Sequence, residues 1–282
     1  MSNIIDGKAV AKAVKDHIAD EVKQLKEKNI HPCLAVVLVG DDPASQVYVR
    51  NKQKACEDTG IISRQFILPA DIGQEKLIRL IYDLNIDEKI NGILVQLPLP
   101  EGYNEKAVLD AISPYKDVDA FHPKNVGKIM IGDYDLLPCT PAGIMELLSY
   151  YNIDVAGKEC VVVGRSNIVG KPMSMLLLHK NGTVTTAHSK TQNLTEVCRR
   201  ADILVAAVGR PNFITEDMVK EGAVVIDVGI NRVNGKLCGD VDFENVSRKT
   251  SWITPVPGGV GPMTIAMLMH NTVTAAKKLA GA

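Results

Sequence analysis

The sequence predicts an α/β protein of two domains, and three observations lead to that prediction. The chain has 282 residues, enough to form two hydrophobic cores of ordinary size. Continuous apolar runs, such as "CLAVVLVG" at 33–40 and "CVVVG" at 160–164, are typical of strands covered on both faces in a parallel sheet. Segments with helical periodicity alternate with these runs, which is the order expected of an open, doubly wound sheet.

The first domain is predicted over residues 1–139, as an N-terminal helix followed by a β-α-β-α-β series. Apolar residues recur at three- and four-residue steps from Gly7 to about Lys28, which predicts a helix with one buried face. The series continues with a strand at 33–40, a helix from about Ser45 to Glu57, a strand near "RQFILP", a helix near "QEKLIRLIYDL" and a buried strand in "NGILVQLPLP".

The second domain, Rossmann-like, is predicted over residues 140–261, after a crossing segment at 114–143 that is dense in Pro, Gly and Asp. Its strands are expected near 160–164, 183–188, 202–209 and 223–229. A long helix from about Pro262 to Leu279 closes the chain. We expect residues 262–282 to pack back onto the first domain.

Composition argues against several classes of protein. The formal net charge of -1 gives no general attraction to nucleic acid or to an anionic membrane. The six cysteines form no C-x-x-C pair and have no nearby histidine at metal-ligand spacing, so we predict free thiols, a reducing cytoplasmic location and no metal site. The N-terminus becomes charged at once and no apolar run has the length of a membrane span, so neither a secretion signal nor a transmembrane helix is expected.

The stretch "VVVGRSNIVGKP" runs from a strand through a tight turn into a helix and is the candidate dinucleotide site. Gly164 ends the strand and Gly170 permits close packing six residues later. Ser166 replaces the middle glycine of G-x-G-x-x-G, however, and the spacing is one residue longer. Backbone N–H groups at a helix N-terminus would still face an anion. An ordinary strand-to-helix turn is the alternative interpretation of this stretch alone.

The second strand of this domain ends in "AHSKT", which indicates the dinucleotide that binds. A site for NAD normally has Asp or Glu here to hold the ribose 2'-hydroxyl. The sequence instead offers His188, Ser189 and Lys190, together with Arg165 from the first turn. Donors and positive charge without a carboxylate favour the 2'-phosphate of NADP.

The candidate catalytic residues lie in the first domain. Tyr48 and Lys52 in "YVRNKQKA" are four residues apart, so a helix places both on one face, although a solvated helix surface would also explain these lysines. Gln96 interrupts an apolar run at the carboxyl end of a strand, where open α/β sheets bind ligands, or else it pairs with water at a sheet edge. Asp119 in "KDVDAFHP" either binds a ligand or only caps its own loop.

Seven stretches, spread over essentially the whole chain, closely resemble the bifunctional methylenetetrahydrofolate dehydrogenase/cyclohydrolase family. They are "S-x-x-Y-V-x-x-K-x-K", "VQLPLP", "KDVDAFHP", "PCTPAG", "GRSNIVGKPM", "HSKT" and "PVPGGVGPMT". These motifs are long, occur in order and are mostly peculiar to that family.

The resemblance implies an enzyme of one-carbon metabolism, in support of purine, methionine and histidine biosynthesis. Such an enzyme oxidises 5,10-methylenetetrahydrofolate with NADP to the 5,10-methenyl cation and hydrolyses that cation to 10-formyltetrahydrofolate. The resemblance also implies a cytoplasmic homodimer with tetrahydrofolate derivatives as substrates. Carried onto this sequence, Tyr48 lines the folate pocket, Lys52 is the central catalytic residue, Gln96 hydrogen-bonds Lys52, and Asp119 holds the pterin. The residues that fall where NADP binds are Gly164, Arg165, Ser166, Ser189 and Ile230.

The glycine-rich stretch "PVPGGVGP" is expected to form part of the folate wall, in a cleft between the domains. Gly258, Gly259 and Gly261 would let the backbone approach a ligand closely, although a plain turn before a helix at Pro262 is the alternative. The chain departs from the family pattern at Ala120, where glycine is expected. The extra methyl would alter the loop's backbone if a positive φ angle is needed there.

Two rival functions are compatible with parts of the sequence. One is a monofunctional NADP-dependent dehydrogenase without cyclohydrolase activity, or one that acts on an amino acid or keto acid. Lys52 with Gln96 weighs against the loss of hydrolysis, and the folate motifs weigh against other substrates. The other is a nicotinamide-sensing regulator that uses only the second domain. Such a regulator would have no need for Tyr48, Lys52, Gln96 and Asp119 together.

Overall fold

The structure, a computed structural model, describes residues 2–281 and divides into two compact units. The first unit comprises Lys12–Cys139 together with the C-terminal segment from Ile265. The second unit comprises Thr140–Thr264 together with the N-terminal segment up to Ala11. This division differs from the predicted boundaries at the N-terminus, because a short N-terminal strand pairs within the second unit's sheet.

Strands and helices alternate along most of the chain, apart from three successive helices within 105–150 and three successive strands within 224–238. Up to residue 150 they are β1 (Asn3–Ile4), α1 (Gly7–Glu27), β2 (Cys33–Val39), α2 (Pro43–Thr59), β3 (Ile62–Leu68), α3 (Gln74–Ile86), β4 (Gly92–Val95), α4 (Glu105–Asp110), α5 (Pro123–Ile131) and α6 (Cys139–Tyr150). The remaining elements are β5 (Glu159–Val163), α7 (Gly170–His179), β6 (Thr183–Ala187), α8 (Leu194–Arg199), β7 (Ile203–Ala206), a 3-10 turn (Glu216–Met218), β8 (Val224–Asp227), β9 (Asn231–Val233), β10 (Lys236–Cys238), α9 (Phe243–Val246), β11 (Trp252–Ile253) and α10 (Val260–Ala280).

The first unit is built on a parallel sheet in the order β3-β2-β4. β2 lies in the centre and is buried along its whole length, as its uninterrupted apolar sequence requires. α2 follows β2 and is capped by Asp42, whose carboxylate accepts from the Ser45 backbone N–H at 2.7 Å. Because Pro43 occupies the first turn, where its missing N–H has no cost, the helix start is firmly defined.

The second unit is built on a parallel sheet whose strand order, within residues 2–281, is β1-β11-β8-β7-β5-β6. From β5 the chain passes to β6 on one side and then returns to β7 on the other. That reversal is the topological switch point, where open α/β sheets bind ligands beyond the carboxyl ends of the strands.

The predicted α/β fold class, with a Rossmann-like second domain, is confirmed. The helix predicted from Gly7 is α1, and the strand predicted at 183–188 is β6. The crossing segment at 114–143 contains a helix that its Pro and Gly content concealed. This helix, α5, begins at Pro123 beside its cap His122 and ends at Gly132, which has a left-handed φ of 78°.

Three structural features lie outside the predicted elements. The edge strand β1 and its neighbour β11 are two residues each, too short for periodicity to indicate them. The antiparallel hairpin β9–β10 turns at Asn234 and Gly235, which have φ angles of 49° and 78°. Positive φ at both turn residues suits the Asn-Gly pair and the twist of a two-residue hairpin.

All six cysteines are free thiols, and five of them are buried. Within residues 2–281, no helix combines the length and the apolar character that a membrane crossing requires.

Candidate active site

Lys52 and Gln96 meet at the carboxyl edge of the first unit's sheet. α2 carries Lys52 past the end of β2, and Gln96 directly follows β4, which is the neighbour of β2. Lys52 Nζ donates a hydrogen bond of 2.8 Å to Gln96 Oε1. Gln96 Nε2 donates to the Leu97 carbonyl oxygen at 2.5 Å, which fixes the orientation of the amide. The Gln96 oxygen is therefore held toward the lysine as an acceptor.

Asp119 is brought to the same edge by the segment that precedes it. Asp117 pairs in a parallel bridge with Ile93 of β4, and the Ile93 backbone N–H donates to the Lys116 carbonyl at 2.7 Å. This short extension of the sheet runs beside β4 and delivers Asp119 near the end of that strand. Cys139 donates from Sγ to Asp119 Oδ1 at 3.6 Å.

The two acids of the "KDVDAFHP" loop have different surroundings. Asp117 is buried and accepts from the His122 backbone N–H at 2.8 Å and from Asn125 Nδ2 at 2.9 Å. These bonds close the loop, so Asp117 is its structural acid. Asp119 is half-buried, faces Lys52 and Cys139, and is left available to a ligand.

Electrostatics couple Lys52, Asp119 and Cys139. Burial lowers the pKa of Lys52, and the nearby carboxylate of Asp119 opposes that shift. Burial raises the pKa of Asp119 to about 6, while the charge of Lys52 acts in the opposite direction. Burial, followed by the negative charge of Asp119, raises the pKa of the Cys139 thiol well above its usual range, so that thiol stays protonated. A lysine moved toward neutrality and a carboxyl moved toward protonation are suited to proton transfer.

Ala120, the position that departs from the family pattern, has a φ angle of 56° and is fully buried. The loop therefore needs the left-handed conformation that glycine adopts freely. Its backbone N–H donates to the Asp117 carbonyl at 3.0 Å, which closes the turn. The chain accepts the strain of an alanine here, and Asp119 is still directed toward Lys52 and Cys139.

Tyr48 lies one turn before Lys52 on α2, and 43% of its surface is exposed. The spacing places the ring beside the amine on one helix face. An exposed ring next to this polar group could stack on a flat ligand.

The turn after β5 has the features of an anion site. Gly164 has a φ angle of 137°, and a Cβ on it would lie 2.2 Å from the Ala207 carbonyl oxygen. A Cβ on Gly170 would lie 2.2 Å from the Gly164 carbonyl oxygen. Neither position can therefore hold a larger residue, which explains the glycines of this turn.

Ser166 changes which N–H groups of the turn are free. Its Oγ accepts from the backbone N–H groups of Val169 at 3.1 Å and Gly170 at 3.3 Å, so it caps the start of α7. Within residues 2–281, the backbone N–H groups of 165–168 donate to no protein acceptor. We expected the anion to meet the N-terminus of the helix, but the free donors lie in the preceding turn. Four consecutive free N–H groups are suited to a pyrophosphate.

Arg165 and Ser189 follow two neighbouring strands at the same sheet edge. Val163 of β5 is in register with Ala187 of β6, and the Gly164 backbone N–H donates to the Ala187 carbonyl at 2.9 Å. Both side chains are exposed, and Arg165 forms no ion pair with any residue the structure describes. A free guanidinium beside a hydroxyl is a suitable site for a phosphate monoester.

Ile230, Gly258 and Gly259 line one cavity of about 160 Å³ within the second unit. Gly258 has a φ angle of 113°. A Cβ on Gly259 would lie 2.7 Å from the Pro255 carbonyl oxygen, so this loop packs too tightly for larger residues. Lys8, the second residue of α1, also lines the cavity.

Sequence reasoning missed two polar residues near these sites. Asn271 of α10 donates from Nδ2 to the carbonyls of Val118 and Leu137, both at 2.7 Å, and so holds the segments that precede Asp119 and Cys139. No local pattern marks a single buried asparagine on a long helix. Lys8 was likewise hidden, because its only distinction is its place beside a loop 250 residues away.

Comparisons with known proteins match both parts of the chain to known families. The family "Tetrahydrofolate dehydrogenase/cyclohydrolase, catalytic domain" matches residues 5–119, and the family "Tetrahydrofolate dehydrogenase/cyclohydrolase, NAD(P)-binding domain" matches residues 138–280. The bifunctional protein FolD of Acetivibrio thermocellus is 62% identical over 277 residues, which cover 98% of this chain and 97% of that protein.

Solved structures give the same result. The bifunctional FolD methylenetetrahydrofolate dehydrogenase/cyclohydrolase of Campylobacter jejuni has a TM-score of 0.97 and 52% identity, covering 99% of each chain. The Trypanosoma brucei enzyme, solved with NADP cofactor and inhibitor, has a TM-score of 0.95 and 40% identity, covering 100% of this chain and 99% of the other. The chain therefore belongs to the tetrahydrofolate dehydrogenase/cyclohydrolase family.

Proposed function

We propose that this protein oxidises 5,10-methylenetetrahydrofolate with NADP to the 5,10-methenyl cation and hydrolyses that cation to 10-formyltetrahydrofolate. The observation that carries the proposal is the 2.8 Å hydrogen bond from Lys52 to Gln96, formed beside Asp119 in a site that lowers the pKa of Lys52. Oxidation alone needs no proton shuttle, whereas hydrolysis does. A lysine held in this way supports the bifunctional reading over a monofunctional dehydrogenase.

In oxidation, the protein's residues act by positioning. The reacting carbon lies between two nitrogens whose lone pairs expel the hydride, so no protein base is required at that carbon. Tyr48 would stack on the pterin, and Asp119 would accept hydrogen bonds from the pterin's ring N–H groups. Holding the carbon at a fixed distance and angle is the main contribution these side chains can make.

In hydrolysis, Lys52 would move protons. Water attacks the methenyl carbon and must lose a proton, and one ring nitrogen must gain a proton before its bond to that carbon breaks. Burial already favours the neutral amine, and the positive charge of the methenyl substrate acts in the same direction. Gln96 Oε1 accepts an N–H of Lys52 and so holds the amine in a fixed place.

The second unit has groups that fit NADP. The free backbone N–H groups of 165–168 would hold the pyrophosphate, while Arg165 and Ser189 would hold the 2'-phosphate. Ile230 would cover one face of the cofactor. When bound, NADP supplies the hydride acceptor.

The test uses the purified protein with methylenetetrahydrofolate and NADP, following methenyl absorbance and NADPH absorbance separately. We expect NADPH to accumulate while the methenyl signal rises and then decays. A methenyl signal that equals NADPH and does not decay would show a monofunctional dehydrogenase. If neither signal appears, the protein is no dehydrogenase, and binding of NADP alone would favour a regulator.

We propose further that the protein is a homodimer in the cytoplasm, where its product supports purine, methionine and histidine biosynthesis. The support is the family membership, together with six cysteines that are all free thiols. Sedimentation equilibrium at micromolar concentration tests the dimer, and a mass of one chain throughout would contradict it.

A further inference from the structure

Asp240 is a fully buried carboxylate of the second unit that has no role in the site described so far. Its Oδ2 accepts from the backbone N–H groups of Val208 at 2.6 Å and Gly209 at 2.9 Å. Its Oδ1 accepts from the Arg210 backbone N–H and from Asn231 Nδ2, both at 2.9 Å. Four donors use the whole acceptor capacity of a carboxylate, so this buried charge is fully compensated.

The three backbone donors are consecutive, and Gly209 between them has a left-handed φ angle of 67°. Consecutive N–H groups of this kind form a concave anion site, which in many proteins holds a phosphate. Here the site is filled by a carboxylate of the same chain. Loop 207–210 is therefore shaped by Asp240, and its amides are not free to bind a ligand's phosphate.

Loop 207–210 lies against the turn that would bind the pyrophosphate. The Ala207 carbonyl oxygen is the atom that a Cβ on Gly164 would meet at 2.2 Å, and the Ala207 N–H donates to the Val163 carbonyl at 2.8 Å. On the other side, Asn231 follows Ile230 directly and begins β9. Asp240 thus joins the loop beside Gly164 to the segment that carries Ile230.

The surrounding glycines make room for two carboxylates. A Cβ on Gly229 would lie 2.3 Å from Asp240 Oδ1, and a Cβ on Gly239 would lie 1.7 Å from Asp227 Oδ2. Asp227 accepts from the backbone N–H groups of Gly229 and Asp240 at 2.9 Å and of Val241 at 3.0 Å. Because the two carboxylates lie so close to the backbone, only glycine fits at both positions, and the carboxylates have fixed places in the fold.

We propose that Asp240 is a positioning residue for oxidation: it holds loop 207–210 and Ile230 in the arrangement that binds NADP, and it has no role in hydrolysis. The inference rests on the proposed function, because it assigns NADP to this edge of the sheet. Hydrolysis uses no cofactor and depends on groups of the first unit, so the two activities respond differently to a change at Asp240.

The test compares Asp240→Asn with Asp242→Asn, a matched loss of charge two residues away whose carboxylate accepts from Asn245 Nδ2. The amide of the Asp240 variant would place an N–H donor against backbone N–H donors and open the loop. We expect the KM for NADP to rise about 10- to 100-fold, kcat to stay within about threefold and hydrolysis to stay within about twofold. The Asp242 variant should match the wild type in all three.

Each outcome decides between explanations. If the wild type shows neither reaction, the proposed function is wrong. If the wild type is active and Asp240→Asn has an unchanged KM for NADP, the positioning role is wrong. If oxidation and hydrolysis fall together, Asp240 stabilises the protein without a specific role in cofactor binding.

Two further variants keep the proposal testable if Asp240→Asn does not fold. Asn231→Ala removes one of the four hydrogen bonds and should raise the KM for NADP about threefold or more. Gly229→Ala keeps the carboxylate but displaces Asp240, because the new methyl would meet both its Oδ1 and its backbone nitrogen. Both should leave hydrolysis unchanged, and a normal KM for NADP in both would overturn the proposal.

Discussion

Lys52→Gln should separate the two activities, because it removes the proton shuttle while keeping a polar side chain at the same place on α2. Glutamine's amide nitrogen is one bond closer to the backbone than Nζ, so it falls short of Gln96 Oε1, which Lys52 contacts at 2.8 Å. An amide neither gains nor loses a proton near neutral pH. Hydrolysis should therefore lose the contribution of general acid–base catalysis.

The expected magnitude follows from the two roles. Removing a proton shuttle lowers a rate by about 10²- to 10⁴-fold, or about 3 to 5 kcal/mol of activation free energy. Loss of the hydrogen bond from Lys52 to Gln96 would by itself account for about 1.5 to 3 kcal/mol at most. Oxidation should fall by only about tenfold, because this variant affects oxidation only through the position of the folate.

The assay measures both rates on one preparation, with two controls. Lys54→Gln changes an exposed lysine on the same helix and should leave both rates within about twofold of the wild type. Lys52→Arg keeps the charge and the donors toward Gln96 but does not release a proton near neutral pH, so it should resemble Lys52→Gln in hydrolysis. The reasoning is refuted if hydrolysis persists near the wild-type rate while oxidation fails.

Three further predictions follow from the geometry. Arg165→Ala should lower the ratio of kcat/KM for NADP over NAD by about 10- to 100-fold, and an unchanged ratio would remove Arg165 from the 2'-phosphate site. Asp119→Asn removes the charge that raises the pKa of Lys52, so the acid limb of the pH profile of kcat for hydrolysis should move to lower pH. A shift to higher pH would contradict the electrostatic coupling between Asp119 and Lys52. Ala120→Gly should change the free energy of unfolding in urea by less than about 1 kcal/mol, because relief of left-handed strain offsets the lost methyl. Ala275, which is also buried but lies in a helix, is the control: Ala275→Gly should lower the free energy of unfolding by about 1.5 to 2 kcal/mol.

The sequence was sufficient for those parts of the fold whose pattern is local. β2 is a continuous apolar run and α1 has one apolar face, and each is determined by residues within a few positions of one another. β1 and β11 are different, because each is two residues long and is held by partners elsewhere in the sequence. Such strands are defined only by pairing with distant segments of the chain, and no local sequence pattern predicts that pairing.

The candidate site shows the same limit. Tyr48 and Lys52 could be paired from their spacing on a helix, and Gln96 was visible as one polar residue in an apolar strand. The resemblance to a known family supplied their roles. The surroundings of Lys52 were not visible, because burial in the folded site lowers its pKa and the opposing carboxylate of Asp119 lies far along the chain.

Ser166 illustrates a deviation that sequence reasoning interpreted incompletely. As a replacement for the middle glycine of the dinucleotide fingerprint, it weakened the match. In the structure its hydroxyl caps α7 by accepting from Val169 and Gly170, which leaves the N–H groups of 165–168 free. The longer turn thus moves the free donors from the helix into the loop before it.

The positions of Lys52 and Asp240 lead to a stricter test of bifunctionality than either variant gives alone. Every group assigned to proton transfer lies in the first unit, and Asp240 with its partners lies in the second. Lys52→Gln should therefore reduce hydrolysis far more than oxidation, whereas Asp240→Asn should weaken NADP binding and spare hydrolysis. In the double variant, the losses in kcat/KM for NADP measured in the two single variants should add as free energies within about 0.5 kcal/mol. The reason is that the two sites share no partner. Losses that combine less than additively would mean that the two residues act on a common step, and the assignment of separate roles would have to be abandoned.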